Sequence, residues 1–173
     1  VLRYFNVAGA DPHARIGLAT VGATHLLKIA VEAATGQRAR IEVYGTDYPT
    51  PDGSCIRDFI HVSDLAQAHR AALAHLRQGG DSTTLNCGYG RGYSVLETIE
   101  AVRRVSGRQF AVQYAPRRPG DIMTMIADTS RIRSVLDWTP QYDDLETIAR
   151  HALALESKLI GERAGSERRA VSA

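Results

Sequence analysis

The chain has 173 residues, 44% hydrophobic and 23% charged, which is enough and ordinary for one globular domain with a real core. Lys and Arg number 21 against 19 Asp and Glu, and a net charge of +2 is no footprint for a nucleic-acid or polybasic membrane partner. No apolar run approaches the ~20 residues of a membrane span, and the first residues do not read as a signal peptide. Two isolated cysteines, Cys55 and Cys87, suit a reducing cytoplasm better than a disulfide scaffold. The six histidines never form an HxH or HxxxH pair, so no metal site is expected.

In chain order, residues 1–5 form an apolar, β-prone run that leads into the turn-rich Ala8-Gly9-Ala10-Asp11-Pro12. A chain that opens at Val1 in mid-strand is expected to be a truncated one. Residues 22–35 read as a helix with Leu27, Ala30, Val31 and Ala34 on one face and Gly36 as its C-terminal glycine. A strand at 41–44 precedes a polar loop over 45–54. The run 56–62 reads as one further strand. Leu65, Ala68, Ala72 and Leu76 mark a helix that stops at Gly79-Gly80, with Ser63 as its N-cap.

Residues 84–87 read as a strand ending in a glycine loop over 88–92. Ser94 and Glu97 form a capping box for a helix that Gly107 ends. A strand at 110–114 and a charged loop over 117–121 follow. Residues 130–136 read as a short helix. The last helix begins at Asp143, with the stripe Leu145, Ile148, Ala152, Leu155 and Leu159. Residues 161–173 have little to bury and are expected to be a disordered tail. Strands alternating with helices predict an α/β domain with mainly parallel pairing.

Few motifs carry chemistry by themselves. Gly88-Tyr89-Gly90-Arg91-Gly92 follows a strand and opens a helix, as a dinucleotide fingerprint would. Its third glycine position is Tyr93, however, and the next strand holds no acid, so the loop reads better as a tight strand-to-helix turn. Arg117-Arg118-Pro119-Gly120-Asp121 is either a solvated charged loop or a diphosphate clamp, since a guanidinium can fork two hydrogen bonds onto phosphate oxygens. Arg57-Asp58 on a strand reads as charges that pair with neighbours. His61, Ser63 and Asp64 are adjacent in sequence, which does not make a triad. Tyr4, Tyr44, Tyr89 and Tyr93 are candidates for stacking on a base, but aromatics in strands are more often core.

Taken together, several segments resemble one family. Tyr4-Phe5-Asn6-Val7-Ala8-Gly9-Ala10-Asp11-Pro12, the loop Tyr44-Gly45-Thr46-Asp47-Tyr48-Pro49-Thr50-Pro51-Asp52-Gly53 and the run from Arg57-Asp58-Phe59-Ile60-His61-Val62 to Asp64-Leu65-Ala66 occur in order. Asn86-Cys87-Gly88-Tyr89-Gly90 and Ala115-Pro116-Arg117-Arg118-Pro119-Gly120-Asp121 follow. This set resembles the UDP-glucose 4-epimerase family of extended short-chain dehydrogenase/reductases over about residues 1–159. The resemblance implies that residues 1–160 are the C-terminal part of such a fold, with its last Rossmann strands and its smaller substrate-binding domain. The half carrying the glycine fingerprint and the Tyr-x-x-x-Lys pair is then missing. In agreement, no tyrosine here is followed by lysine four positions later, and the only lysines are Lys28 and Lys158.

What the resemblance leaves to this chain is the grip on a UDP-sugar. It implies that Asn6 bonds near the phosphate, that His25 and Leu26 meet the diphosphate from a helix start, and that Glu42, Val43 and Tyr44 present backbone to uracil. His25 stands where some members have asparagine. Arg57 and Arg118 would pair with the diphosphate and Asp121 with the ribose, while Tyr4 would lie beside the nicotinamide through its backbone. Met125 falls where the family gates the sugar pocket, or simply fills core space.

The implied chemistry is removal and return of a hydride at C4 of the sugar by bound NAD, through a 4-keto sugar that turns about its bond to a fixed diphosphate. No catalytic group is expected in this chain, which alone should neither epimerise nor bind NAD tightly. An intact homodimer without nucleic-acid or membrane partners is expected. Other UDP-sugar 4-epimerases, for arabinose or N-acetylglucosamine, and a non-catalytic nucleotide-sugar binding module stay open as alternatives.

Overall fold

The computed structural model describes residues 1–20 and 22–171. Nine short strands and five helices alternate along them. β1 (Leu2–Arg3) and β2 (Asn6–Ala8) precede α1 (Leu26–Ala34) and β3 (Arg40–Tyr44). β4 (Ile56–Arg57), β5 (Phe59–His61) and α2 (Val62–Arg77) follow. Then come β6 (Leu85–Asn86), β7 (Tyr93–Ser94), α3 (Val95–Ser106), β8 (Ala111–Ala115), β9 (Thr124–Met125), α4 (Ser130–Val135) and α5 (Leu145–Val171).

The strands form four small sheets. β1 pairs with β6, β2 with β5 and β3 with β8, all parallel, and β4 sits between antiparallel β7 and parallel β9. Mainly parallel pairing is therefore borne out. Helices α1, α3 and α5 pack on one another. Their buried faces meet β3 and β5 in one core that includes Val31, Ile41, Ile60, Ile99, Val102 and Ile148. Burial of this kind is worth roughly 1.5–3 kcal/mol per large side chain.

Several local signals act as the sequence predicts. Ser94 and Glu97 make both bonds of the capping box, and Gly107 ends α3 in the left-handed region at φ 65°. The stretch 56–62, however, is not one strand. It breaks at Asp58, so that β4 and β5 belong to different sheets. The cap of α2 is also not Ser63: the His61 ring accepts the Ser63 N–H instead, one residue before the helix starts at Val62. β7 and β9, of two residues each, fall in stretches that read as loop. Residues 161–171 were expected in a disordered tail, yet α5 continues through them. Ala, Glu and Arg dominate that stretch and are good helix formers. Residues 172–173 of the same expected tail lie outside the described residues.

Two buried polar contacts tie α5 to the rest. Lys28 of α1 forms an ion pair with Glu156 of α5, with Lys28 7% and Glu156 2% exposed, and also approaches Glu32 at 3.5 Å. Gln37 Nε2 donates to the other Glu156 oxygen at 2.7 Å. Five residues before Glu156 on the same helix, His151 Nδ1 lies 3.0 Å from His61 Nε2. His61 is fully buried, and its ring tilts onto Tyr142 with centroids 4.5 Å apart. Because His61 Nδ1 accepts the Ser63 N–H, its proton sits on Nε2 and is donated to His151. A second proton on either ring would set donor against donor.

That geometry makes acid a denaturant of this joint. Burial first, and the neighbouring His151 second, push His61 down from 6.5 to about 4. Burial also lowers His151. An unfolded chain takes up the His61 proton below about pH 6.5 and the folded one does not until about pH 4. Stability is thus present above pH 6.5 and lost on the way down to pH 4. Urea titrations at pH 7.5 and 5.0 should show a loss of about 2 kcal/mol from His61 alone. A flat profile across that window would contradict the pairing.

Candidate functional site

A cleft of ≈ 660 Å³ opens between α1, β3, β4 and the loop after β8. One wall is the start of α1, where Thr24, His25 and Leu26 face the cavity. No side chain caps this helix end and its first turn holds no acid, so its backbone N–H groups remain open to an anion. The second wall is β3 with the residues leading into it, including Arg38, Arg40, Glu42 and Tyr44. Among the described residues β3 pairs only with β8, which leaves the polar backbone groups of its other edge for a ligand. Arg57 of β4, Arg118, Asp121 and Asn6 complete the lining.

Four arginines line the cleft, and their partners differ. Arg38 bonds to Glu32 at 2.5 Å, and Arg40 stands 4.0 Å from Glu42. Arg57 Nη2 reaches Asp121 at 2.9 Å, while Nη1 donates to the carbonyls of Ile56 and Ile122 at 2.9 and 2.6 Å. These bonds leave Nε out. Arg118 is the exception: among the described residues it has no carboxylate partner and lies over the Tyr44 ring, 3.6 Å from its centroid. The Tyr44 hydroxyl is in turn held by Glu42. The adjacent Arg117 does not line the cleft. It stacks on Tyr48 at 4.1 Å and is bonded to Asp47 at 2.8 Å, and that bond holds the Asp47 carboxyl below its usual range. Of the two loop arginines, therefore, one is committed to the protein and the other faces the cavity.

Eight of the residues expected to hold substrate, Asn6, His25, Leu26, Glu42, Tyr44, Arg57, Arg118 and Asp121, meet in this single cleft from five stretches of chain. The Val43 side chain is buried in the core, and only its backbone can face a ligand. Met125 is half-buried on β9 and pairs in register with Arg57, one strand away from the lining residues. Tyr4 is not part of the cleft. It is 43% exposed past the end of β1, with its ring edge-on to His69 at 5.9 Å.

The glycine loop after β6 has a use that sequence reading did not foresee. The buried Asp58 carboxylate accepts the N–H groups of Tyr89, Gly90 and Ala127 at 3.0–3.1 Å. A phosphate has no place there. The reading of this loop as a turn is supported, and its missing third glycine was the signal. Arg38 and Arg40 escaped notice because a short basic stretch before a strand looks like solvated surface.

Residues 1–88 match the model of the NAD dependent epimerase/dehydratase family. A UDP-glucose 4-epimerase of Azospirillum brasilense is 55% identical over 159 residues, which are 92% of this chain and 46% of that protein. The structure of the UDP-Glc/GlcNAc 4-epimerase of Campylobacter jejuni superposes with a TM-score of 0.77 at 49% identity, over 91% of this chain and 47% of that one. A UDP-glucose-4-epimerase of Stenotrophomonas maltophila, solved with NAD and formylated UDP-arabinopyranose, gives 0.88 at 40% identity, over 94% and 48%. The chain spans about half the length of the curated relatives it matches.

The packing of the glycine loop is directly testable. A Cβ on Gly88 would stand 2.7 Å from Asp58 Oδ2 and 2.8 Å from the Ala127 Cβ. Gly88→Ala should destabilise the fold by about 1–3 kcal/mol in urea. Wild-type stability would show that the loop does not close on Asp58.

Proposed function

The chain belongs to the NAD dependent epimerase/dehydratase family, and on that premise we propose that it is the nucleotide-sugar-binding half of a UDP-glucose 4-epimerase. The observation that carries the reading is the convergence of Arg118, Arg57 and the open start of α1 on one cleft whose Arg118 no described carboxylate neutralises. Such a site suits a diphosphate, which takes forked guanidinium bonds and helix N–H groups alike. The UDP-glucose 4-epimerase relatives support the choice of UDP over other diphosphates.

In this reading the free edge of β3 at Glu42, Val43 and Tyr44 meets the uracil. Asp121, with one oxygen on Arg57, turns the other to the ribose. Asn6, His25, Leu26, Arg57 and Arg118 hold the phosphates. Strong contacts then fall on the part of the substrate that does not react, and the sugar is left loose enough to turn. Met125, beside Arg57 on the next strand, stands at the edge of the sugar space. The same resemblance brings into the reading a homodimeric intact enzyme in the cytoplasm.

NAD finds only an edge here. The glycine loop has its N–H groups on Asp58, and no acid follows on β8. What remains is the exposed Tyr4–Phe5 stretch after β1, with both rings 43% exposed. When held by a complete fold, NAD supplies a hydride acceptor at the sugar C4. This chain contributes position and charge to that chemistry, and neither a base nor a dinucleotide cradle.

The test uses an intact enzyme, meaning this chain together with a dinucleotide-binding half. It should interconvert UDP-glucose and UDP-galactose, and Arg118→Ala should weaken UDP binding roughly ten- to a hundred-fold by calorimetry. Unchanged affinity would remove Arg118 from the site. A second reading, with N-acetylated sugars as substrates, draws on the Campylobacter jejuni neighbour. Met125 is flexible enough to yield, so UDP-glucose and UDP-galactose should be preferred with slow turnover of UDP-N-acetylglucosamine. If Met125→Tyr and Met125→Ser both leave the kcat/KM ratio of the two sugars within ~10-fold of wild type, Met125 is not the gate.

A further inference from the structure

Asp58 sits where the chain leaves one sheet and enters another. β4 ends at Arg57 and β5 begins at Phe59. Its side chain is 2% exposed and has no ion-pair partner among the described residues. Instead Oδ1 accepts the Tyr89 N–H at 3.1 Å, and Oδ2 accepts those of Gly90 at 3.0 Å and Ala127 at 3.1 Å. Its main chain is equally engaged: the Asp58 N–H donates to the Met125 carbonyl at 2.9 Å, and its carbonyl accepts Asn6 Nδ2 at 3.1 Å. One residue thus joins Asn6 of β2, Arg57 of β4, the end of β9 and the loop after β6. Three of these carry groups assigned above to the substrate.

We propose that Asp58 is the positioning residue of the cleft, and that its buried carboxylate fixes the places of Arg57, Asn6 and Met125 relative to one another. This rests on the reading of the cleft as a UDP-sugar site. Asp58 touches no ligand itself and acts through these neighbours. The geometry is tight as well as connected. Gly88 packs against Asp58 Oδ2 with no room for a Cβ, so the carboxylate cannot slide along the loop. Burial pushes the Asp58 carboxyl up, against the pull of its three backbone N–H donors.

The same motif supplies the control. Asp64, six residues on, is 1% exposed. It accepts the Tyr89 hydroxyl at 2.6 Å and the N–H groups of Gln141 and Tyr142 at 2.9 Å. It is as buried and as fully bonded as Asp58, but neither it nor those three partners line the cleft. An amide at either position turns an NH2 group toward N–H or O–H donors. Both changes should therefore cost stability, and only the change at Asp58 should cost binding.

The experiment compares Asp58→Asn and Asp64→Asn in the intact enzyme, with UDP as the calorimetric probe and UDP-galactose as the kinetic substrate. Both variants should melt lower than wild type. Asp58→Asn should raise the Kd of UDP and the KM at least tenfold with kcat within threefold, because the lost contacts hold the unreactive part of the substrate. Asp64→Asn should keep the wild-type Kd within twofold. A folded Asp58→Asn that binds UDP as wild type does overturns the proposal, as does an equal loss of affinity in both variants. If Asp58→Asn does not fold, Asp58→Glu is read by the same criteria. Failure of both to fold makes Asp58 a fold residue only and also overturns the proposal. Wild-type enzyme that fails to bind UDP would instead defeat the proposed function.

Discussion

A carboxylate taken out of water must be met by donors, and the centre of this chain is arranged around that requirement twice. Among the described residues no cation pairs with the buried Asp58 and Asp64, which together draw five backbone N–H groups and one hydroxyl onto themselves. An unmet buried charge would cost several kcal/mol, so these segments have little freedom to stand elsewhere. Tyr89 links the two centres, giving its N–H to one carboxylate and its hydroxyl to the other. The strand ends, the glycine loop and the 138–142 segment are located by these bonds more than by their own short runs of sheet.

The cleft follows from the same economy of partners. Arg38 and Arg57 each bond a carboxylate of the protein, which holds their side chains and mutes their charge, while the exposed Arg40 stands only loosely near Glu42 at 4.0 Å. Arg118 is left with an aromatic face. A stacked guanidinium keeps its hydrogen-bond donors directed outward, so the resting contact costs little when an anion arrives. The structure therefore sorts cations that look alike in sequence: Arg117 is spent on Asp47, Arg57 keeps only its Nε out of its bonds to the protein, and Arg118 faces the cleft with no described carboxylate partner.

How much of this was legible in the sequence depended on the range of the interaction. The α3 boundaries were, because Ser94, Glu97 and Gly107 act within a turn or two of their own positions. The buried faces of α1 and of the first part of α5 were, because apolar spacing reports them, whereas Leu76, placed on the buried stripe of α2, is 51% exposed. The split of 56–62 into two strands was not, since the partners that separate β4 from β5 come from β2, β7 and β9. His61 and His151 lie 90 residues apart, and nothing local to either announces the other. For the cleft, single residues were ambiguous, and Arg117 and Arg118 looked equivalent. The order and spacing of several motifs together gathered residues that do meet in one cavity. Tyr4, expected beside a nicotinamide and not beside the UDP-sugar, lies outside that cavity, and the Arg57-Asp58 step looks like a pair of charges meeting neighbours until the burial of Asp58 is known.

The buried pair of Lys28 and Glu156 has a consequence for how such a chain is made. Lys28 leaves the ribosome 128 residues before its partner. Until Glu156 emerges, α1 carries an ammonium that its folded position would strip of water, with only Glu32 at 3.5 Å nearby. A charge in that state opposes docking of the helix that carries it. The wall of the cleft built on α1 is therefore completed only by a stretch of α5 that reaches Glu156. An element made early is thus completed by one made late.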